Sequence, residues 1–286
     1  MPAIEAEEAT TISARAATRL AAAVRDAGTL ALSMFGTQIK NWTKGPSSSP
    51  VCDADIAVND LLRERLIASG DACAWLSEES ADDARRLGAR YVWVVDPIDG
   101  TRAYIAGQPD WAISAALVED GRPIAACLYA PALDEFFAAR AGAGSTLNGT
   151  PIAATAGADL HDIRVAGPQK FLDRLSSAMP PFTRLPRGHS LALRLVRVAQ
   201  GAADVAFAGG NSHDWDLAAA DLLVHEAGGA LTSAAGGTVV YNRPAPRHGT
   251  LVAAGRDRHT AIIKFLGDQK LLGDQNFFGN QGLALR

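Results

Sequence analysis

The chemistry of this sequence concentrates in Val95-Asp-Pro-Ile-Asp-Gly-Thr101, where two carboxylates three residues apart follow an apolar run and precede a glycine and a hydroxyl. Asp96 and Asp99 leave a strand end at a sharp Pro/Gly turn and can point into one cleft. The freed amides of Gly100 and Thr101 then form an anion-binding turn. Carboxylates with a free backbone carbonyl are what a hard cation such as Mg2+ requires. Taken alone, the same string reads better as a surface turn with solvated acids, because Asp, Pro and Gly dominate turns everywhere. Three further clusters change that weighting. Leu76-Ser-Glu-Glu-Ser80 sets Glu78 and Glu79 at the end of another apolar segment, and Pro50-Val-Cys-Asp-Ala-Asp55 sets two acids at a loop-to-helix boundary. Asp214-Trp-Asp-Leu-Ala-Ala219 opens an apolar helix with a carboxylate that suits either an N-cap or a metal ligand. Singly, each is an ordinary cap or solvated acid; four such clusters at element ends in one chain are harder to dismiss.

The elements that must hold these acids show in the apolar periodicity. Tyr91-Val-Trp-Val-Val95 is short, β-branched and aromatic, and apolar on both faces, as a buried strand is. From Thr11, residues Ile12, Ala16, Leu20, Val24, Ala27, Ala31 and Met34 keep helical spacing up to a stop at Gly36. Lys44–Pro50 is a loop by composition, and a second helix begins near Asp55 with Val58, Leu62 and Leu66 on one face. Strands are expected at Ala74–Leu76, Trp111–Val118, Ile124–Tyr129 and Glu135–Ala139, with a hairpin turn at Asn148-Gly149. Beyond about residue 155 strands and helices alternate. The strands are Ile163–Ala166, Ala203–Phe207, Ala230–Thr232, Val239–Tyr241 and Leu251–Ala254; the helices are Leu191–Gln200, Asp216–Ala227 and Thr260–Leu266. This order predicts an N-terminal α+β domain over residues 1–154, a C-terminal α/β domain over 155–266, and a terminal extension over 267–286. In that extension Gly-[Asp/Asn]-Gln recurs every six residues, which matches no repeat architecture.

Composition removes several classes. The 286 residues are 48% apolar and 20% charged, enough for a sizeable core, which excludes disorder, collagen and a disulfide scaffold. A net charge of −4 gives no electrostatic footprint for nucleic acid or an anionic membrane. Cys52, Cys73 and Cys127 are odd in number and lack C-x-x-C spacing, as suits reduced thiols in a cytoplasmic protein. The acidic start MPAIEAEEAT has no apolar core of a signal peptide, and no run is long enough to span a bilayer. Gly142-Ala-Gly144 lacks the third glycine of a dinucleotide fingerprint, and P-loop, serine-elbow and zinc spacings are absent.

Two signatures in correct order and separation carry a family resemblance. Trp93-Val-Val-Asp-Pro-Ile-Asp-Gly-Thr101, and Trp215-Asp-Leu-Ala-Ala-Ala220 running to Glu226-Ala-Gly-Gly229, resemble the inositol monophosphatase superfamily of Mg2+-dependent, lithium-sensitive phosphatases. That superfamily includes 3′(2′),5′-bisphosphate nucleotidases and some fructose-1,6-bisphosphatases. Glu78-Glu79-Ser80 and Gly142-Ala-Gly…Asn148-Gly also fit, so the resemblance runs from about residue 14 to 265. It implies a two-domain layered αβαβα sandwich, commonly a homodimer, that hydrolyses a small phosphate monoester with metal-activated water and no covalent intermediate. Inositol monophosphate or a similar polyol phosphate is the first expected substrate. Adenosine 3′,5′-bisphosphate follows, and a member that only binds a phosphorylated ligand is the third reading.

The resemblance also implies roles. Glu78 and Asp96, with the Ile98 carbonyl, would hold a first Mg2+; Asp96 would bridge to a second held by Asp99 and Asp216; Glu78 with waters would hold a weaker third. Asp55 would bond Thr101, and these two with Glu78 form the catalytic set acting on water. Asp99, Gly100, Thr101, His189, Ser190 and Asp216 are the candidate substrate contacts. Departures from the family pattern bear mainly on substrate. Ser77 in place of Gly and Cys52 in place of Thr remove no required ligand. Gly209, seven residues before Asp216, stands where animal inositol monophosphatases place a Glu that holds inositol hydroxyls. Gly188-His-Ser-Leu-Ala192 resembles the Gly-Ser-Ser-Leu-Lys segment of the bisphosphate nucleotidases, but Ala192 lacks the Lys. His189 suits a substrate contact or a simple turn. His213 suits a pocket wall or a surface loop, and Trp42 and Trp111 flank loops near the expected cleft.

Overall fold

The computed structural model describes residues 2–44, 49–67 and 73–268, with side chains from residue 11 onward. Residues 45–48 of the expected loop and residues 269–286, which hold most of the six-residue repeat, lie outside the described residues. The chain begins with α1 (Pro2–Met34), a hairpin of β1 (Asn41–Lys44) and β2 (Ser49–Cys52), and α2 (Asp53–Ile67). Next come β3 (Cys73–Ser77), β4 (Tyr91–Asp99), a short α3 (Thr101–Ile105), β5 (Ala112–Glu119), β6 (Arg122–Ala130), β7 (Glu135–Arg140), β8 (Ser145–Leu147) and β9 (Thr150–Ile152). Strands β3 to β9 form one seven-stranded sheet in chain order. Only β3–β4 is parallel; the rest is a meander, closed at β8–β9 by Asn148 and Gly149, both at positive φ as the sequence predicts.

The second half holds β10 (Arg164–Ala166), α4 (Gln169–Leu175), β11 (Thr183–Arg184), α5 (Leu191–Ala199), β12 (Val205–Ala208), β13 (Ser212–His213) and α6 (Asp214–Glu226). It ends with β14 (Gly229–Ser233), β15 (Arg247–His248), β16 (Leu251–Gly255) and α7 (Arg256–Asp268). A five-stranded sheet in the order β11-β10-β12-β16-β14 results, mixed in direction because β16 runs against both neighbours.

Burial pattern fixes the layering. In β4 and β5, Trp93, Val95, Ile113 and Leu117 face a core shared with α1 and α2, while Val92, Val94, Ala116 and Val118 face a second core. That second core contains α5, α6 and the inner face of the five-stranded sheet. Helix α6 is apolar nearly all round, with Leu217–Ala220 and Leu222–Val224 buried, which suits a helix held between two sheets. A third cluster covers the outer face of the second sheet with α4 and α7. The result is the expected αβαβα sandwich. Its central core joins residues from both sides of residue 155.

Some elements differ from the sequence reading. Helix α1 starts at Pro2, nine residues before Thr11. The strand expected to end at Val95 runs on to Asp99. Val239–Tyr241 is not a strand: Arg122 donates to the Val239 carbonyl at 2.8 Å and the Tyr241 amide to Gly121 O at 3.1 Å. This segment is docked on the β5–β6 turn, so its apolar residues are buried without a ladder. The β1–β2 hairpin, α3 and α4 carry too few residues to leave a periodic signal. No disulfide joins the cysteines, and no helix among the described residues is long and apolar enough to cross a membrane.

Candidate active site

The two acids of Asp96-Pro-Ile-Asp99 are brought together by a register shift. Strand β4 pairs with β5 down to Asp96 opposite Ser114 and resumes with Asp99 opposite Ala112. Three steps on β4 therefore span two on β5, a bulge with one extra residue. In a regular strand residues i and i+3 face opposite sides; the extra residue restores the parity, and both acids line the same cleft. Pro97 sits inside the bulge, where its missing N–H breaks no ladder bond. Gly100 then turns the chain into α3 at φ +99°. A Cβ there would stand 3.0 Å from Asp110 O and 3.3 Å from Ser190 N, so only glycine fits.

Glu78 and Asp216 arrive from other elements. Parallel pairing sets Ser77 against Val95, and the Glu78 amide donates to the Val95 carbonyl at 3.3 Å, which leaves Glu78 beside Asp96. Asp216 lies in the first turn of α6, where its Oδ2 accepts the His213 amide at 2.7 Å in a capping box. Ser114 Oγ on β5 donates to the Trp215 carbonyl at 3.1 Å and pins that turn against the bulge. Glu78, Asp96 and Asp216 each offer an oxygen within 4.8 Å of the others.

Such an arrangement is costly without a cation. Burial raises the Asp96 carboxyl well above its ordinary value, and the charges of Glu78, Asp99 and Asp216 add to it. Burial likewise raises Glu78, with Asp216 and Glu79 adding and Lys44 opposing. Burial and then Asp216 raise Asp99, against its hydrogen bonds from Ser190 and Ala192. An all-oxygen, mutually repelling donor set fits a hard divalent ion. Lys44 supplies part of the compensation already, with Nζ 3.3 Å from Glu78 Oε1 and 2.5 Å from Glu79 Oε1.

The remaining expected residues fall into three groups. Asp55 Oδ1 accepts from Thr101 Oγ1 at 3.0 Å, while Asp55 Oδ2 accepts from the Cys52 amide at 2.8 Å and its Sγ at 2.9 Å. Burial lifts Asp55 to about 6, against those hydrogen bonds, and pushes the Cys52 thiol up to about 12 so that it stays a donor. Ile98 lines the cleft, but its carbonyl accepts from Thr101 Oγ1 at 3.1 Å and its amide donates to Asp96 Oδ1 at 3.1 Å. Asp99 lines the same cleft but is not one of the three carboxylates that meet within 4.8 Å. Its Oδ2 takes 2.6 Å bonds from Ser190 Oγ and the Ala192 amide and so ties β4 to the start of α5. Ser190 also caps α5 by accepting the Leu193 amide at 3.0 Å. His189 reaches the cleft but is tethered, its amide 2.6 Å and its Nδ1 3.0 Å from Asp110 Oδ2. His213 stacks on Trp215 with centroids 4.5 Å apart.

The cleft encloses about 280 Å³ and is also lined by Arg102, Arg187 and Arg194, which sequence reasoning missed. A larger hollow of about 670 Å³ under α1 has no carboxylate among its described lining residues. Comparisons with known proteins bear on the family of the chain. Residues 13–270 match the model of the inositol monophosphatase family. An inositol-1-monophosphatase of Rhizobium meliloti is 35% identical over 203 residues, 68% of this chain and 75% of the relative. A histidinol-phosphatase of Mycobacterium tuberculosis is 34% identical over 209 residues, 66% of this chain and 75% of the relative. Among solved structures, extragenic suppressor protein suhB from Bartonella henselae superposes with a TM-score of 0.75 at 27% identity, covering 87% of this chain and 97% of that one.

Proposed function

The chain belongs to the inositol monophosphatase family, a family of phosphatases, and on that premise we propose that it is a Mg2+-dependent phosphomonoesterase acting on a small phosphorylated metabolite, with inositol monophosphate or a similar polyol phosphate as first substrate. The convergence of Glu78, Asp96 and Asp216 within 4.8 Å carries this reading. These three, with Asp99 and the Ile98 carbonyl, are the groups that would hold Mg2+. Bound there, the ion would screen the charge of a phosphate monoester and lower the pKa of a water.

The chain's own residues account for the rest. Thr101 Oγ1 takes a proton from the attacking water as its own hydroxyl proton passes to Asp55 Oδ1, 3.0 Å away. Asp55, at about 6, is ionised at neutral pH and basic enough to take part. The Cys52 amide and thiol hold its other oxygen and fix its direction. Gly100 and Thr101 line the cleft at the start of α3, where first-turn amides lack intrahelical acceptors and suit the equatorial phosphate oxygens. Ser190 and Ala192, by clamping Asp99, set the distance between the two halves of the cleft.

Names among the relatives include both inositol monophosphatase and histidinol-phosphatase, so the leaving alcohol is chosen by the cleft walls and not by the family. The test is phosphate release, in Mg2+ and in EDTA, from inositol 1-phosphate, adenosine 3′,5′-bisphosphate and fructose 1,6-bisphosphate. Mg2+-dependent release supports the reading, and a large preference in kcat/KM names the substrate class. No release from any of them by metal-loaded protein would favour a phosphate-ligand binder.

A further inference from the structure

Among the described residues Arg194 is a half-buried cleft residue that forms no ion pair, Asp99 acting on it only through space. It lies in the first turn of α5, four residues after the capping Ser190, and its Nη2 donates to the Gly188 carbonyl at 3.2 Å. No carboxylate pairs with it among the described residues. Other arginines withdrawn from solvent are treated differently. Arg86 meets Asp82 at 2.6 Å, Arg197 meets Glu135 at 2.7 Å, and Arg258 lies 3.8 Å from Asp204. Burial holds the Arg194 guanidinium below its ordinary value, with Asp99 opposing and Arg187 reinforcing the shift. A guanidinium has five donors in a planar fork, and a desolvated one with a single carbonyl partner is incomplete.

Position says what completes it. Arg194 and Gly188 line both the carboxylate cleft and an adjoining hollow of about 260 Å³, whose other walls include Leu185, Pro186, Leu193 and Asp110, the last with its Oδ2 held by the His189 amide and Nδ1. Arg197 in that hollow is already neutralised by Glu135. Arg187 stands on the cleft side, next to Gly188. We propose that Arg194, assisted by Arg187, forms an anion subsite that selects phosphate monoesters bearing a second anionic group, phosphate or carboxylate, on the leaving-alcohol side. This rests on the phosphomonoesterase reading and adds to it the charge pattern of the substrate. The fork of Arg194 suits either anion by a two-point contact, which a lysine reproduces only in charge.

The experiment uses two matched pairs with the Mg2+-loaded enzyme. One sets inositol 1-phosphate against inositol 1,4-bisphosphate. The other sets glycerol 3-phosphate against 3-phosphoglycerate, which carries a carboxylate in place of the terminal carbinol. The subsite predicts that kcat/KM favours the doubly anionic member by about 10- to 100-fold in at least one pair, through KM. The pair that discriminates tells phosphate from carboxylate. Arg194→Gln should collapse that ratio towards one, and Arg194→Lys should restore part of it. Ratios near one for both pairs in the wild-type enzyme would overturn the subsite while leaving the phosphatase reading intact. So would an Arg194→Gln variant that slows both members alike, because that marks a structural role or contact with the scissile phosphate. Release from none of the four compounds would overturn both.

Discussion

Replacing Asp96 by Asn should stabilise the metal-free protein and disable the enzyme, and the opposite signs make the test sharp. The substitution is nearly isosteric, and the Ile98 amide keeps an oxygen acceptor in place of Asp96 Oδ1. Within the 4.8 Å carboxylate group, two ionised oxygens repel by about 3.5 kcal/mol at an effective dielectric near 20. Asp96→Asn removes two of the three pairwise repulsions and also relieves the burial of a charge. Protonation limits the gain, because neutralising a carboxyl of ordinary value 3.8 at pH 7 costs about 4 kcal/mol and caps what the native state suffers. The expected gain is therefore about 2–4 kcal/mol, or roughly 4–12 °C in Tm for a chain of this size, read by thermal unfolding in EDTA. Mg2+ should reverse the order. At a thousand times its Kd it adds about 4.1 kcal/mol to the wild type and little to the variant. Phosphate release by the variant should fall by at least about 100-fold in kcat/KM. An Asp96→Asn protein that is less stable than wild type in EDTA, or fully active in Mg2+, would refute the reasoning.

Three further outcomes follow from the same site. Thr101→Ala and Asp55→Asn should each lower kcat by about 100- to 10,000-fold with KM little changed, and the double variant should be no worse than either, measured by steady-state phosphate release. Asp55 rises from 3.8 to about 6 on folding, so the native state binds more protons than the unfolded one between those values. Its contribution to stability falls as pH rises through that window, and urea unfolding in EDTA should show Asp55→Asn gaining about 2.4 kcal/mol on wild type between pH 4 and pH 7.5; a pH-independent difference would contradict the assigned burial. Gly100→Ala forces a Cβ to 3.0 Å from Asp110 O at positive φ and should cost about 1–3 kcal/mol in melting experiments, with phosphate release reduced beyond what the lost stability explains.

Much of the sandwich was legible because its strands and helices announce their faces. Tyr91–Val95 is apolar on both sides and is covered on both sides, and the stripe from Ala16 to Ala31 is the buried face of α1. The acids were legible as residues at element ends. How they meet was not, since the parity of Asp96 and Asp99 depends on the register of β5, and Asp216 depends on the bond from Ser114 to Trp215. Asp99 belongs as much to the cap of α5 as to the carboxylate group, a double role that no local pattern displays. Arg194 escaped notice for a physical reason: in sequence a lone arginine on a helix reads as a solvated face, and only the three-dimensional absence of a partner carboxylate marks it out. Val239–Tyr241 misled because apolar, β-branched residues are buried by docking as readily as by pairing.

The gathering of Glu78, Asp96 and Asp216 from distant parts of the chain has a consequence for biosynthesis. Asp216 follows Asp96 by 120 residues. At about 5–20 residues per second, a ribosome emits it roughly 6–24 seconds after the first two acids have emerged. Throughout that interval the nascent chain offers a divalent ion only two of the three carboxylates, one just past β3 and one in β4, on a sheet whose opposite face still lacks α6. On the metal-dependent reading, tight capture of the ion therefore waits for α6 to dock, so that loading with metal and assembly of the central core become one event in the life of each molecule.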